Sequence, residues 1–161
     1  MEKKYKILVT GVAGFLGSHL AEELGNLGHE VIGIDSMIGG YKDNIPSNIK
    51  FHKIDCCDHE KIKVIMSKID IVYHCAATAH EGLSVFSPYE ITKNNYLASV
   101  SVFSAAINNK VKRIIFCSSM ARYGEQKTPF TESMKPLPVD PYAISKVAAE
   151  DVLINLCELN N

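Results

Sequence analysis

The sequence predicts an α/β chain built on a doubly wound parallel sheet. Three observations predict it. Short, continuously apolar runs alternate with longer amphipathic stretches, the pattern of strands covered by helices on both faces. A turn carrying Gly11, Gly14 and Gly17 joins the first apolar run to the first amphipathic stretch. The chain has 161 residues, 47% of them hydrophobic and 22% charged. That is the size and composition of one globular domain, which buries roughly two thirds of its unfolded surface.

The elements follow in order. "KILVTG" (6–11) reads as a buried strand ending in glycine. Phe15 to Leu27 places Leu16, Leu20, Leu24 and Leu27 at helical spacing, with Gly28 as a stop. "EVIGID" (30–35) is a second strand, and "IKFHKID" (49–55) a third. The 36–48 connection is polar and glycine-rich, open to a loop or a broken helix. Asp58 can cap a helix over 59–68, with Ile62, Ile65 and Met66 on one side. "IDIVYHCAA" (69–77) is a fourth strand. Pro88 opens a helical stretch reaching about Asn109. "RIIFCSS" (113–119) is a fifth strand, 126–140 a proline-rich loop, and Pro141 starts the last helix.

Charge and cysteine content narrow the function classes. Seventeen basic against eighteen acidic residues leave a net charge of −1, which gives no basic excess for nucleic acid or a membrane surface. Near the N-terminus, Ile7 to Val9 is a short apolar run, far from a signal peptide or a membrane span. Cys56, Cys57, Cys75, Cys117 and Cys157 form neither a C-x-x-C motif nor an even framework. They read as reduced thiols with no metal to hold, and the expected compartment is the cytoplasm.

The turn "TGVAGFLG" (10–17) has dinucleotide-binding spacing in a fitting context. A strand precedes it, a helix follows, and Asp35 ends the next strand. Gly11 permits a tight turn, Gly14 lets backbone approach a pyrophosphate, and Gly17 lets helix and strand pack closely. The helix start supplies free N–H groups to an anion. Asp35 can accept from ribose hydroxyls and would repel a 2′-phosphate, which favours NAD over NADP.

With "DCCD" (55–58), "HCAA" (74–77), "NN" (94–95), "SSMARYG" (118–124) and "YAISK" (142–146) in that order, the chain resembles the extended short-chain dehydrogenase/reductase superfamily. Within it, the resemblance is to the NAD-dependent epimerase/dehydratase family acting on nucleotide sugars, with its Rossmann fold. The resemblance implies a cofactor site of Gly11, Gly14, Phe15, Leu16, Gly17, Asp35, Ser36, Asp55, Cys56, Cys75, Ala76, Ala77, Asn95, Ser118, Tyr142 and Lys146. In it, the Phe15 and Leu16 backbone meets the pyrophosphate, Asp55 and Cys56 border the adenine, and Asn95 holds the loop after the fourth strand. The expected catalytic residues are Ser119, Tyr142 and Lys146.

Tyr142 and Lys146 stand four apart and share a helix face. A free tyrosine, with pKa about 10, is a poor base near neutrality, and bringing one to ~7 takes about 4 kcal/mol. A nearby ammonium and a positive nicotinamide would supply this. The resemblance also gives Lys146 a bond to the nicotinamide ribose and places Ser119 on the same substrate hydroxyl as Tyr142. The implied reaction is epimerisation through a 4-keto sugar, of the UDP-hexose 4-epimerase type. The alternatives are a UDP-glucuronate decarboxylase, a sugar reductase, or an NAD-binding module without turnover. Dehydratases of the family carry Asp-Glu after the position of Ser119; Met120 and Ala121 stand there instead.

Some positions stay open. Arg122 either reaches a carboxylate or phosphate or lies over Tyr123. His80 and Glu81, in "TAHEGLS" (78–84), either touch the sugar or face solvent. His74 reads as a satisfied core histidine. Family members continue into further strands and a smaller carboxyl-terminal substrate domain. Residues 1–161 are therefore expected to be the NAD-binding domain without that second part. The resemblance also implies a homodimer through helices 88–109 and 141–158, and a nucleotide-sugar substrate.

Overall fold

The computed structural model describes residues 3–160. Five parallel strands make one sheet: β1 (Lys6–Thr10), β2 (Glu30–Asp35), β3 (Lys50–Lys53), β4 (Ile71–His74) and β5 (Arg113–Phe116). Their order is β3-β2-β1-β4-β5. The chain winds outward from β1 to β3, then returns to place β4 on the other side of β1. That reversal makes the carboxyl ends of β1 and β4 a switch point, where open α/β sheets bind ligands.

The strands alternate their side chains between two cores. Leu8, Ile32, Ile34 and Val72 face one core; Ile7, Val9 and Val31 face the other. The second core is closed by α1 (Phe15–Asn26) through Ala21 and Leu24. The first is closed by α2 (His59–Ile65), by a long helix through Val102 and Phe103, and by Ala149 of α6 (Pro141–Leu159). The long helix begins as α4 (Pro88–Ile91), passes through a π-helical segment at Thr92–Leu97, and continues as α5 (Ala98–Asn108). A single turn, α3 (Glu81–Ser84), lies within the 78–84 stretch that reads as loop in the sequence.

Several boundaries differ from the sequence reading. The ladder of β4 stops at His74 and that of β5 at Phe116. Cys75–Ala77 and Cys117–Ser119 leave it, because that edge opens into a cleft. On α1, Leu16 and Leu27 are exposed, and the buried face is Gly17, Ser18, Ala21 and Leu24. Leu24 is buried and Leu20 packs against the second core, so half of the leucine stripe faces inward, while the small residues Gly17, Ser18 and Ala21 let the first turns lie against the glycine turn. The 36–48 connection carries one 3-10 turn, Lys42–Asn44. Among the described residues, no helix is long and apolar enough to cross a membrane.

Candidate active site

The glycine turn is locked by close backbone approach. Gly11 has φ +72°, and a Cβ there would meet the Ala76 backbone at 2.8 Å. Gly11 N–H donates to Ile34 O at 2.9 Å, joining the turn to the end of β2. A Cβ on Gly17 would collide with Gly11 O. Gly14 starts α1 with no side-chain cap on the helix. The first-turn N–H groups, Phe15 and Leu16 among them, are thus left to solvent or an anion.

Above this turn lies a cleft lined by Gly11, Gly14, Asp35, Ser36, Ile38, Gly39, Gly40, Asp55, Cys56, Cys75, Ala76, Ala77, Thr78, Asn94 and Ala98. Nine of the residues expected at a cofactor site meet here. Asp35 is fixed at its wall: its carboxylate accepts from Ala13 N–H at 3.0 Å and Met37 N–H at 2.7 Å. Asp55 accepts from Cys57 N–H at 2.8 Å, which shapes the turn after β3. Burial pushes the Cys56 thiol up, to about 12.

The loop after β4 is held from below. Asn95 is buried in the π-helical segment, accepts from Thr78 N–H at 2.7 Å and donates to Thr78 O at 3.2 Å. His74 is fully buried between Thr10 Oγ1 at 2.7 Å and Ser99 Oγ at 2.9 Å. Burial pulls its imidazole down, to about 3, so it is neutral and structural. Thr10 Oγ1 in turn accepts from Ala76 N–H at 3.1 Å. β1, β4 and the cleft wall are thereby one hydrogen-bonded unit.

Tyr142 and Lys146 occupy one face of α6, both nearly fully buried. Lys146 Nζ donates to Cys117 O at 2.7 Å and stands 4.6 Å from the Phe116 ring centroid. Burial pulls its ammonium down, to about 8, with the Cys117 and Cys75 sulfurs and Glu150 opposing. Ser119 lies three residues past the paired end of β5, not at the strand end. It caps the turn Met120–Tyr123, its Oγ accepting from Ala121 N–H at 3.1 Å. Ser118 Oγ is buried and without a partner among the described residues. Ser118 and Ser119 open on a second depression with Met120, Arg122, Tyr123, Glu132 and Glu150. Arg122 does both things left open by the sequence: its Nη2 is 3.1 Å from Glu150 Oε2, and its guanidinium lies over Tyr123.

Residues 7–161 match the model of the NAD dependent epimerase/dehydratase family. The chain belongs to that family.

Its relatives include the UDP-glucose 4-epimerase of Streptomyces lividans, 32% identical over 152 residues, covering 92% of this chain and 46% of that one. Among solved structures, UDP-glucose 4-epimerase of Thermotoga maritima with UDP-glucose superposes at TM-score 0.92 and 34% identity, over 96% of this chain and 52% of that one. The Thermus thermophilus UDP-glucose 4-epimerase complex with NAD gives 0.92 and 32%, over 96% and 51%. The chain spans about half the length of these relatives.

The cleft suits the cofactor of this NAD-dependent family. Its lining has two carboxylates, Asp35 and Asp55, and no lysine, arginine or histidine. A 2′-phosphate would meet repulsion with no counter-charge, whereas a 2′-hydroxyl can donate to Asp35. Beyond the expected set, Ile38, Gly39, Gly40, Thr78, Asn94 and Ala98 also line it. The glycine pair 39–40 was the available signal for a wall here: a Cβ on Gly40 would meet Ala13 Cβ at 2.8 Å. Phe15, Leu16, Gly17, Asn95, Ser118, Ser119, Tyr142 and Lys146 do not line this cleft. Gly17 and Asn95 support it from behind, and Lys146 reaches its edge through Cys117.

Proposed function

We propose that residues 1–161 form the NAD-binding portion of a UDP-hexose 4-epimerase. The observation that carries this reading is Lys146, buried on α6 and hydrogen-bonded to Cys117 O just past β5, beside a cation-free cleft with Asp35 on its wall. The UDP-glucose 4-epimerase relatives support the substrate class. Met120 and Ala121 leave no acid–base pair for elimination.

Asp35 and Ser36 hold the adenosine ribose, Asp55 and Cys56 border the adenine, and the Phe15, Leu16 and Gly17 turn takes the pyrophosphate. Cys75, Ala76, Ala77 and Ser118 lie along the nicotinamide half, with Asn95 fixing the loop. Bound NAD+ supplies a reversible hydride acceptor. Lys146 stays protonated at neutral pH and places its charge one helical turn from Tyr142. Tyr142 takes the proton of the sugar 4-hydroxyl on its phenolate oxygen, and Ser119 orients that hydroxyl. Tyr142 would return that proton to the 4-oxygen as the turned 4-keto sugar regains its hydride on the other face of C4, which completes the epimerisation.

A homodimer belongs to the same reading. Helices 88–109 and 141–158 leave Tyr89, Leu97, Ile144 and Ile154 exposed, and these would pair across a two-fold axis. Five free cysteines suit a reducing compartment, the cytoplasm.

Calorimetry with NAD and NADP tests the cofactor, with NAD expected to bind more tightly. UDP-galactose interconversion is then assayed with this chain alone and joined to the carboxyl-terminal half of a relative. Tyr142→Phe should abolish turnover in the joined protein and leave NAD affinity nearly unchanged. Failure to bind NAD sinks the reading, and full activity in Tyr142→Phe removes the assigned base.

A further inference from the structure

Cys75 and Cys117 are far apart in sequence, yet strand order brings them side by side. His74 pairs with Phe116 as the last rung between β4 and β5. Cys117 N–H then donates to His74 O at 3.2 Å, which carries the alignment one residue further. The two sulfurs are 3.7 Å apart. Neighbouring strands lie about 4.7–4.9 Å apart, inside the roughly 4.4–6.8 Å Cα separation that disulfides span. Closing a bond of about 2.05 Å asks the sulfurs to move together by about 1.7 Å. Neither thiol is fully buried, and Cys75 lines the cleft.

We propose that Cys75 and Cys117 are a redox-modification site: a dithiol in the cleft wall that a hydroperoxide oxidises to an intrachain disulfide.

The surroundings select the attacking sulfur. Either thiol can carry the shared proton, but Cys117 loses it first. Cys75 donates to the resulting thiolate and the Lys146 ammonium lies nearby, which together pull Cys117 down, to about 6. Donation to Cys117 and burial push Cys75 up. Thiolates, not thiols, are the nucleophiles toward peroxide. Cys56 and Cys57 are pushed up, to about 12 and about 11, chiefly by burial, and are poor competitors.

The steps balance. The Cys117 thiolate attacks one peroxide oxygen, the O–O bond breaks, and the departing oxygen takes a proton. Cys117 is then a sulfenic acid. The Cys75 sulfur attacks the Cys117 sulfur, the S–S bond forms and the S–O bond breaks. The hydroxide leaves as water with the Cys75 proton. Two thiols lose two electrons and two protons, and hydrogen peroxide becomes two waters.

The test treats this chain with hydrogen peroxide, alkylates the remaining thiols and maps the peptides by mass spectrometry. Two alkylatable thiols should be lost, with a linked peptide pair containing Cys75 and Cys117, reversed by dithiothreitol. Cys75→Ser and Cys117→Ser should each abolish the link; should either fail to fold, the wild-type map alone decides. Linkage through other cysteines, or separate oxidation of Cys75 and Cys117 without a link, overturns the proposal. One arm rests on the NAD reading: NAD at roughly ten times its Kd should slow closure about tenfold. A disulfide that forms at the same rate with NAD present supports the dithiol site and counts against NAD occupying this cleft. No disulfide with NAD binding intact does the reverse.

Discussion

Lys146 shows how function and stability oppose each other at one residue. It is 3% exposed, and burial pulls its ammonium from the ordinary lysine range down to about 8. The folded value is the lower one, so between pH ~8 and ~10.5 the unfolded chain binds more protons. Stability therefore rises with pH through that window, and below it the buried charge is a standing cost. Lys146→Met should raise unfolding free energy at pH 7, on the order of 1–3 kcal/mol, and remove the rise above pH 8. NAD affinity should fall in the same variant. Urea unfolding at pH 7 and pH 10 checks this. A variant less stable at pH 7 would mean that the bond to Cys117 O and the Phe116 ring outweigh desolvation.

The π-helical segment Thr92–Leu97 is the element on which the cleft loop depends. It places the Asn95 side chain against the loop after β4, where it makes both hydrogen bonds to Thr78. Asn95→Leu leaves the Thr78 N–H and C=O without those partners, a loss of about 1–3 kcal/mol. Amide exchange at Thr78 should speed up and NAD affinity should fall; unchanged protection at Thr78 would show that other contacts hold the loop. At α6, Asp140 Oδ1 accepts from Ala143 N–H at 2.8 Å. Asp140→Ala should cost about 1 kcal/mol, lowering the melting temperature by about 2–4 °C, while Asp140→Asn keeps most of it. If the alanine variant melts with wild type, Pro141 alone starts the helix. The helix starts at Asp58, Pro88 and Pro141 were readable in advance, because each residue acts within one turn of itself. The π-helical segment was not, because one extra residue in a turn leaves the apolar periodicity of 88–109 nearly intact. The meeting of Cys75 with Cys117 was equally hidden: it depends on which strand lies beside β4. Gly40 became part of the cleft wall only through its close approach to Ala13 and Asp35.

At the scale of the whole molecule, the remaining question is what covers the exposed apolar side chains. Tyr89, Leu97, Ile144 and Ile154 lie on the helices of the proposed two-fold contact, 52–75% exposed. A second group, Leu83, Val85 and Phe86, sits on and just after α3. Contiguous apolar surface tends to associate, so the two groups give opposite predictions for where a second copy binds. Under the helical contact, sedimentation should show a dimer at high micromolar concentration, and melting should rise with concentration. Ile154→Lys would place two ammonium groups in a self-complementary interface. It should weaken dimerisation at least tenfold, about 1.4 kcal/mol, while Phe86→Lys leaves the dimer as it is. The reverse pattern assigns the contact to the α3 group. A monomer at high micromolar concentration leaves both groups as surface for something other than a second copy of this chain.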